Sequence, residues 1–399
     1  MRPGTPRLLR GMNDRAALDL LLEHGPLSRT RLGELTGLSK PTASQLLARL
    51  ERAGLVVATG VREGGPGRNA QLYEINPVSA HVGALDVRST RIVAAVADVS
   101  GRVVGRSELR TRRGSGDTAA QQVERVLDLA LACEPGLTRA DLHRVVIGTP
   151  GAFDPTTGRL RYARHLPGWH DADMIAGISD AIGVPVEGEN DVNLAAVAER
   201  EAGRAVGVDD FVLLWAEEGL GAAIVIDGRL HRGATGGAGE VGFLPLPGTP
   251  LVRQVGRNNA GGFQELAGGK QVLALARAMG LRARTPESAV ALALTTPGSG
   301  DQLLQLLGER VALGLASIVA VMDPALIVLG GGVLSTGGER LAGIVRSELT
   351  DLTVVRPDVE LSTVSDPPVL TGALHTALAA TREHVFDTLS APPTRSITT

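Results

Sequence analysis

The stretch Val82–Gly105, VGALDVRSTRIVAAVADVSGRVVG, decides how this chain is read. Runs rich in Val, Ile and Ala alternate with Arg-Ser-Thr and Asp-x-x-Gly interruptions, the pattern of strand, loop, strand, turn, strand. The order returns at Phe211–Gly233, FVLLWAEEGLGAAIVIDGRLHRG, where Asp227-Gly228 turns as Asp98 to Gly101 turned before. Each triplet is followed by helical segments and further strands, so the pattern is a duplication. Two similar α/β lobes facing across a cleft is the economical architecture for it. A third glycine-rich turn, ALIVLGGGV, ends an apolar strand at Gly330, Gly331 and Gly332. Glycine runs of this kind suit a plain strand-to-helix turn as well as a nucleotide site.

The bulk figures suit this division. At 399 residues the chain exceeds one compact domain, so two or three units are expected. Hydrophobic residues make up 43% and aromatic residues 2%, so Leu, Val and Ala must build the core. The single cysteine, Cys133, excludes a disulfide framework and a structural cysteine cluster for zinc, and fits a reducing cytoplasm. The start, MRPGTPRLLRGMNDR, has no apolar secretory core. No apolar stretch approaches the roughly eighteen residues that span a bilayer, so a soluble protein without membrane contact is expected. The net charge of −3 is shared unevenly, with a basic excess in the first 80 positions and an acidic remainder. A basic front on an acidic body suggests that only the front meets a polyanion.

Three short helical patterns open the chain. Asn13 can cap a helix running to about His24, with Ala17, Leu20 and Leu21 on one face. Ser28 can cap a second, carrying Leu32 and Leu35, and Gly37 suits the tight turn that follows. Ser39 can cap a third, with Pro41 in its first turn and Ala43, Leu46, Leu47 and Leu50 as an inward stripe. The other side of this third helix offers Ser39, Lys40, Thr42, Ser44, Gln45 and Arg49, donors suited to phosphates and base edges in a major groove. LVVATG and NAQLYEI then read as two strands around VREGGPGR, a tip whose Arg62 and Arg68 suit a neighbouring groove or backbone. A trihelical packing domain with a solvated polar face is the bland alternative. The spacing, the basic excess and the wing together favour a winged helix-turn-helix that binds double-stranded DNA.

Val184–Glu201, VPVEGENDVNLAAVAERE, places Asn190 and Asp191 between a short strand and a good helix. That is the strand end where α/β proteins bind ligands. A helix cap accounts for one polar residue there. A consecutive Asn and Asp also suit a polyol, the amide donating and accepting while the carboxylate accepts, and such a carboxylate can take a proton from a hydroxyl.

From residue 13 to about 385 the chain resembles the ROK family of sugar kinases and sugar-responsive repressors, in the actin/hexokinase superfamily. The carriers are the helix-turn-helix front, GTPGAFDPTTG, LPGW, GENDVN, DGRLHRGATGGAGEVG and VLGGGV, taken in that order. The resemblance implies an α/β fold class: an N-terminal winged helix-turn-helix followed by a two-lobed actin/hexokinase-like body. It implies a DNA-binding head at 1–78, a first lobe at 79–190 completed by a helix near 370–385, a second lobe at 191–369, and a disordered tail at 386–399. It matches Asn190 to a sugar-binding asparagine and Asp191 to the catalytic-base position. Glu240 and Glu265 match sugar-binding glutamates, and Gly151 lies in the loop that approaches the sugar.

The departures bear on activity. Family kinases carry an Asp-x-Gly-Gly-Thr phosphate loop, where this chain has DVRST: Asp86 and Thr90 remain, and Arg88 and Ser89 replace the glycines. Side chains at those positions obstruct the approach of backbone N–H groups to phosphate, although Arg88 attracts an anion by charge. The second loop, Gly-Thr-Gly-x-Gly in the family, is EEGLG here, with Glu217 and Glu218 as carboxylates that repel a triphosphate. The family's zinc histidine falls at Phe243, and its last zinc cysteine at Phe263 within VRQVGRNNAGGFQE. The nearest histidine, His231, belongs to a surface turn. No zinc is expected, and packing around Phe243 and Phe263 should hold this segment instead. Trp169 is expected to pack in the interior rather than stack on a sugar.

The expectation is a transcription regulator of carbohydrate metabolism, a repressor by resemblance. It would bind operator DNA as a homodimer or homotetramer and respond to a sugar or sugar derivative between the lobes. No cofactor is expected, neither zinc nor ATP. Two alternatives stay open: an active ATP-dependent sugar kinase with a regulatory head, Asp191 being its base, and a constitutive DNA-binding protein with a vestigial cleft.

Overall fold

The computed structural model describes residues 6–62, 70–111, 116–154, 157, 160–161, 166, 168–169, 173–217, 219–249, 253, 261–364 and 367–387. Its front comprises α1 (Pro6–His24), β1 (Leu27–Ser28), α2 (Arg29–Thr36), α3 (Lys40–Arg52), β2 (Val56–Arg62) and β3 (Ala70–Ile75). The strands form an antiparallel sheet in the order β1-β3-β2. The expected caps form: Ser28 accepts from the Arg31 N–H and Ser39 from the Thr42 N–H, while Gly37 takes the left-handed conformation at the end of α2. The α3 stripe of Ala43, Leu46, Leu47 and Leu50 is wholly buried. The first helix departs from expectation. It begins at Pro6, with Asn13 in its interior, and its buried face is formed by Asp14, Ala17, Leu18 and Leu21.

The first lobe follows with β4 (His81–Val87), β5 (Arg91–Asp98), β6 (Val103–Arg110), α4 (Ala119–Leu131), β7 (Leu142–Thr149), β8 (Ala152–Phe153), β9 (Leu160–Arg161), α5 (Met174–Ile182), β10 (Val186–Asn190) and α6 (Asp191–Ala202). The second carries β11 (Phe211–Ala216), β12 (Leu220–Ile226), β13 (Arg229–Leu230), α7 (Gln264–Ala267), α8 (Gly269–Ala278), α9 (Pro286–Leu294), α10 (Ser299–Met322), β14 (Leu326–Gly330), α11 (Gly331–Leu352) and β15 (Asp358–Leu361). A last helix, α12 (Pro368–Asp387), returns to the first lobe, packing on β4, β5, β7 and α6.

The duplication read from the strand triplets is present in the topology. One sheet runs β10-β7-β4-β5-β6 and the other β15-β14-β11-β12-β13. In each, the triplet is antiparallel and the two remaining strands join it in parallel. Each sheet is covered on both faces. Helices α4 and α5 cover one face of the first and α12 the other; α8 to α11 cover one face of the second. Helix α6 lies between the sheets, with Leu194 in the core shared with α12 and Val192, Ala195 and Ala196 against β11, β12 and β14. Its approach to α12 is closest at Gly372, where an added Cβ would stand 1.8 Å from the Leu194 carbonyl oxygen.

Two expectations need correcting. Helix α10 is long and apolar enough, by length and composition, to cross a membrane. Its inward side, including Leu303, Leu307, Val311 and Leu315, lies in the second-lobe core, and Leu306, Leu313, Ala320 and Val321 on its less buried side add to the apolar content. The chain also stays ordered beyond residue 385. Phe386 in the last turn of α12 is 2% exposed and sits in the same core as Ala17, Leu18 and Leu46 of the head and Ala80 and Val99 of the body. The Arg15 guanidinium lies over its ring at 5.4 Å. The rest of that segment, 388–399, lies outside the described residues.

Candidate functional site

Both halves of the Asn190–Asp191 question have a structural answer. Asn190 ends β10 and caps α6: its Oδ1 accepts from the Val192 and Asn193 N–H groups at 2.9 and 3.1 Å, while Nδ2 donates to the Gly151 carbonyl at 2.9 Å. The amide therefore fixes the helix start and braces the loop beside it. Asp191, in the first turn, accepts from the Val192 N–H at 2.9 Å through Oδ1, and its Oδ2 accepts no hydrogen bond among the described residues. Burial pushes the Asp191 carboxyl up to about 7; Asp86 and Glu217 push the same way, against Arg88 and the Val192 N–H. Glu189 just before them is also committed, accepting from Asn193 Nδ2 at 2.9 Å and from Arg232 Nε at 2.6 Å.

Asn190 and Asp191 open onto a cleft of about 750 Å³ between the lobes, whose walls also hold Gly151, Glu240 and Glu265. Sequence positions from 151 to 265 are thus brought to one cavity, of a size that suits a small ligand. Burial raises the Glu240 carboxyl, which makes no side-chain hydrogen bond or ion pair among the described residues. Glu265 accepts from Gln271 Nε2 at 2.8 Å. Phe243 is half-buried on the cleft wall, whereas Phe263 is fully buried in the second-lobe core against Gly314. Apolar packing of this segment therefore centres on Phe263, and Phe243 faces the cavity because the short 3-10 turn Val241–Phe243 turns it there. The family's zinc does not fit this pair of phenyl rings, and the described residues hold no group of three or more His, Cys, Asp or Glu side chains that could bind a metal. His231 is exposed, and Trp169 is buried with its Nε1 donating to Gln122 at 3.3 Å.

The DVRST and EEGLG turns face each other. Arg88 Nε donates to Asp86 at 3.1 Å, and Nη1 donates to Glu217 at 2.9 Å. Burial works against the Arg88 charge, but these two carboxylates outweigh it and hold its pKa above the usual guanidinium value. The sequence reading treated Arg88 and Glu217 as separate obstacles to phosphate; in the structure they pair with each other and join the two turns at the cleft wall. Glu218 lies outside the described residues. Sequence reasoning also missed Lys270 on the cleft wall, and Gln264, whose Oε1 accepts from the Leu220 N–H at 2.9 Å. A signal for the Arg88 pairing was available: opposite charges had replaced small residues in both loops at once.

On the head, Lys40, Thr42 and Gln45 are exposed along α3. Ser39 and Thr42 share a hydroxyl contact of 2.8 Å, and the Ser44 hydroxyl donates to the Lys40 carbonyl at 2.9 Å. Arg49 is committed to the body of the head: its Nε donates to the buried Asp14 carboxylate at 3.0 Å, and Nη2 pairs with the same group. It anchors α3 to α1, which a sequence pattern cannot show because the partner is 35 positions away. Arg62 ends β2, and Arg68 lies outside the described residues.

Comparison with known proteins agrees with this architecture. The ROK family model matches residues 82–378, and a model of the MarR family matches residues 12–68. A xylose repressor of Caldicellulosiruptor bescii is 24% identical over 388 residues, covering 93% of this chain and 96% of the relative. A solved ROK family transcriptional regulator, homologue of the Escherichia coli MLC protein, has a TM-score of 0.74 at 20% identity, covering 96% of this chain and 98% of that one. The ROK hexokinase of Thermus thermophilus has a TM-score of 0.61 at 27% identity, covering 76% of this chain and 99% of the enzyme. With its whole two-lobed body matched, the chain belongs to the ROK family.

Proposed function

We propose that this chain is a DNA-binding transcription regulator of carbohydrate metabolism, a repressor, that takes a sugar or sugar derivative in the cleft between its lobes. The observation that carries the reading is the shared core through Phe386: a winged helix-turn-helix is packed onto a sugar-kinase-like body whose two donor turns are joined by Arg88 and Glu217. The similarity to a xylose repressor along nearly the full chain supports it. Residues 1–78 form the DNA-reading unit. Residues 79–190 with the helix at 370–385 form the first lobe, and 191–369 the second.

In this reading Lys40, Thr42 and Gln45 meet the major groove, with Ser39 and Ser44 shaping the start of the recognition helix. Arg62 and Arg68 approach the backbone or a neighbouring groove from the wing. The operator is palindromic and the protein binds it as a homodimer or homotetramer. Glu240, Glu265 and Asp191 accept hydroxyl hydrogens of the effector, Asn190 holds the Gly151 loop against it, and Phe243 offers an apolar face. Closure on the effector changes the spacing of paired heads, and a tenfold loss of operator affinity needs about 1.4 kcal/mol of coupling.

Fluorescence anisotropy with DNA from upstream of the protein's own gene tests the reading, with D-xylose, D-glucose and N-acetylglucosamine as trial effectors. Salt-sensitive, sequence-selective binding that one sugar weakens is expected; absence of selective binding refutes it. One observation favours a second reading, an active kinase: Asp191 has a proton affinity suited to a general base near neutral pH. Sugar-dependent ADP release from MgATP would establish that reading, and its absence removes it.

A further inference from the structure

Arg88 and Glu217 lie 129 positions apart, in equivalent places of the two lobes. Arg88 follows β4 and Glu217 follows β11, and those strands hold the same central place in their sheets. Nη1 of Arg88 reaches both Glu217 oxygens, at 3.2 and 2.9 Å, while its Nε reaches both Asp86 oxygens, at 3.3 and 3.1 Å. One planar guanidinium thus serves a carboxylate of its own lobe through Nε and another across the cleft through Nη1, both as charge-assisted hydrogen bonds.

We propose that Asp86, Arg88 and Glu217 form a lobe-to-lobe clasp that holds the cleft closed without any phosphoryl donor. An anion lodged between two such turns would draw the lobes together; here the chain carries its own cation and anion for that task. The two halves of the clasp differ. The Asp86 side chain is 1% exposed, so its contact with Arg88 is shielded from water. The Glu217 side chain is 32% exposed and can be hydrated on release. Opening therefore breaks Arg88–Glu217 and keeps Arg88–Asp86, so the arginine travels with the first lobe. A second pair, Glu189–Arg232 at 2.6 Å, ties the end of β10 to the segment after β13. Helix α6 is wedged between the sheets, so the lobes are also joined away from the clasp.

That the clasp governs DNA release rests on the effector reading above; the clasp itself does not, and its test uses neither DNA nor sugar. The exposed Cys133 of the first lobe and an Ala278→Cys substitution at the exposed C-terminal end of α8 in the second take spin labels in the full chain. The label separation is then measured by pulsed dipolar spectroscopy in otherwise wild-type protein, in Glu217→Gln and in Glu217→Lys. The wild type should give one narrow distribution. Glu217→Lys should shift the mean to longer separation, beyond the wild-type width, and Glu217→Gln, which keeps the shape but loses the charge, should broaden it in the same direction. Distributions for both variants that match the wild type overturn the clasp, whatever the protein does with DNA.

Discussion

At Asp191, burial and neighbouring carboxylates raise the pKa from 3.8 to about 7. Folding therefore takes up a proton between about pH 4 and pH 7, and stability falls as pH rises through that window. Asp191→Asn removes the ionisation while keeping an acceptor for the Val192 N–H. The variant should gain on the wild type as pH rises, by about 1–3 kcal/mol at pH 8; thermal midpoints at pH 5 and pH 8 check this, and a gap that narrows with pH contradicts it. In the head, Arg49→Ala leaves Asp14, whose side chain is 4% exposed, without its partner, a loss of about 2 kcal/mol. Lys40→Ala should leave stability unchanged while lowering by about one the slope of log affinity against log salt. Melting curves and anisotropy titrations across NaCl concentrations separate the two residues, and a stable Arg49→Ala protein with a lowered salt slope would return Arg49 to the DNA face.

Among the elements, α6 and α12 carry the connection between cleft and head. The start of α6 holds Asn190 and Asp191, its flank meets α12 at Gly372, and the far end of α12 places Phe386 in the head's core. Gly372→Ala forces the two helices apart at their tightest point and should cost about 2 kcal/mol. Phe386→Ala empties a site shared by head and body, at about 3 kcal/mol, and should make the head melt ahead of the lobes. Differential scanning calorimetry tests this through the appearance of a separate low-temperature transition; a single unsplit transition for Phe386→Ala would show that α12 does not join the two. The family resemblance implied a helix near 370–385 that completes the first lobe, but not its contact with the head, since neither the apolar spacing nor the length of α12 names a partner.

Over the whole molecule, the paired sheets are similar to those of the ROK hexokinase of Thermus thermophilus, and the turns after β4 and β11 are joined to each other by Arg88 and Glu217. Adding MgATP with D-glucose or D-xylose should leave the thermal midpoint where the sugar alone leaves it. A further rise with nucleotide would mean that the clasp yields to a phosphate, since a ligand that binds the native state stabilises it by mass action. Lobe closure and head placement are linked physically because α6 touches both sheets and α12 touches both α6 and the head. A ligand that prefers one lobe spacing is therefore expected to bias the head, to the extent of its differential affinity.

What the sequence by itself determined is local: strand triplets with their Asp-Gly turns, the buried stripe of α3, the caps at Ser28 and Ser39, and Asn190 and Asp191 at a strand end. Backbone geometry, burial periodicity and short-range hydrogen bonds set these, and all lie within a few residues of one another. Only the tertiary structure decided which charges meet. Arg49 found Asp14 instead of facing outward, Phe243 turned toward the cleft while Phe263 took the core, and Arg88 met Glu217 across two lobes. An ion pair depends on distance in space, and that distance is fixed by how sheets and helices pack, long after each segment has settled its own shape.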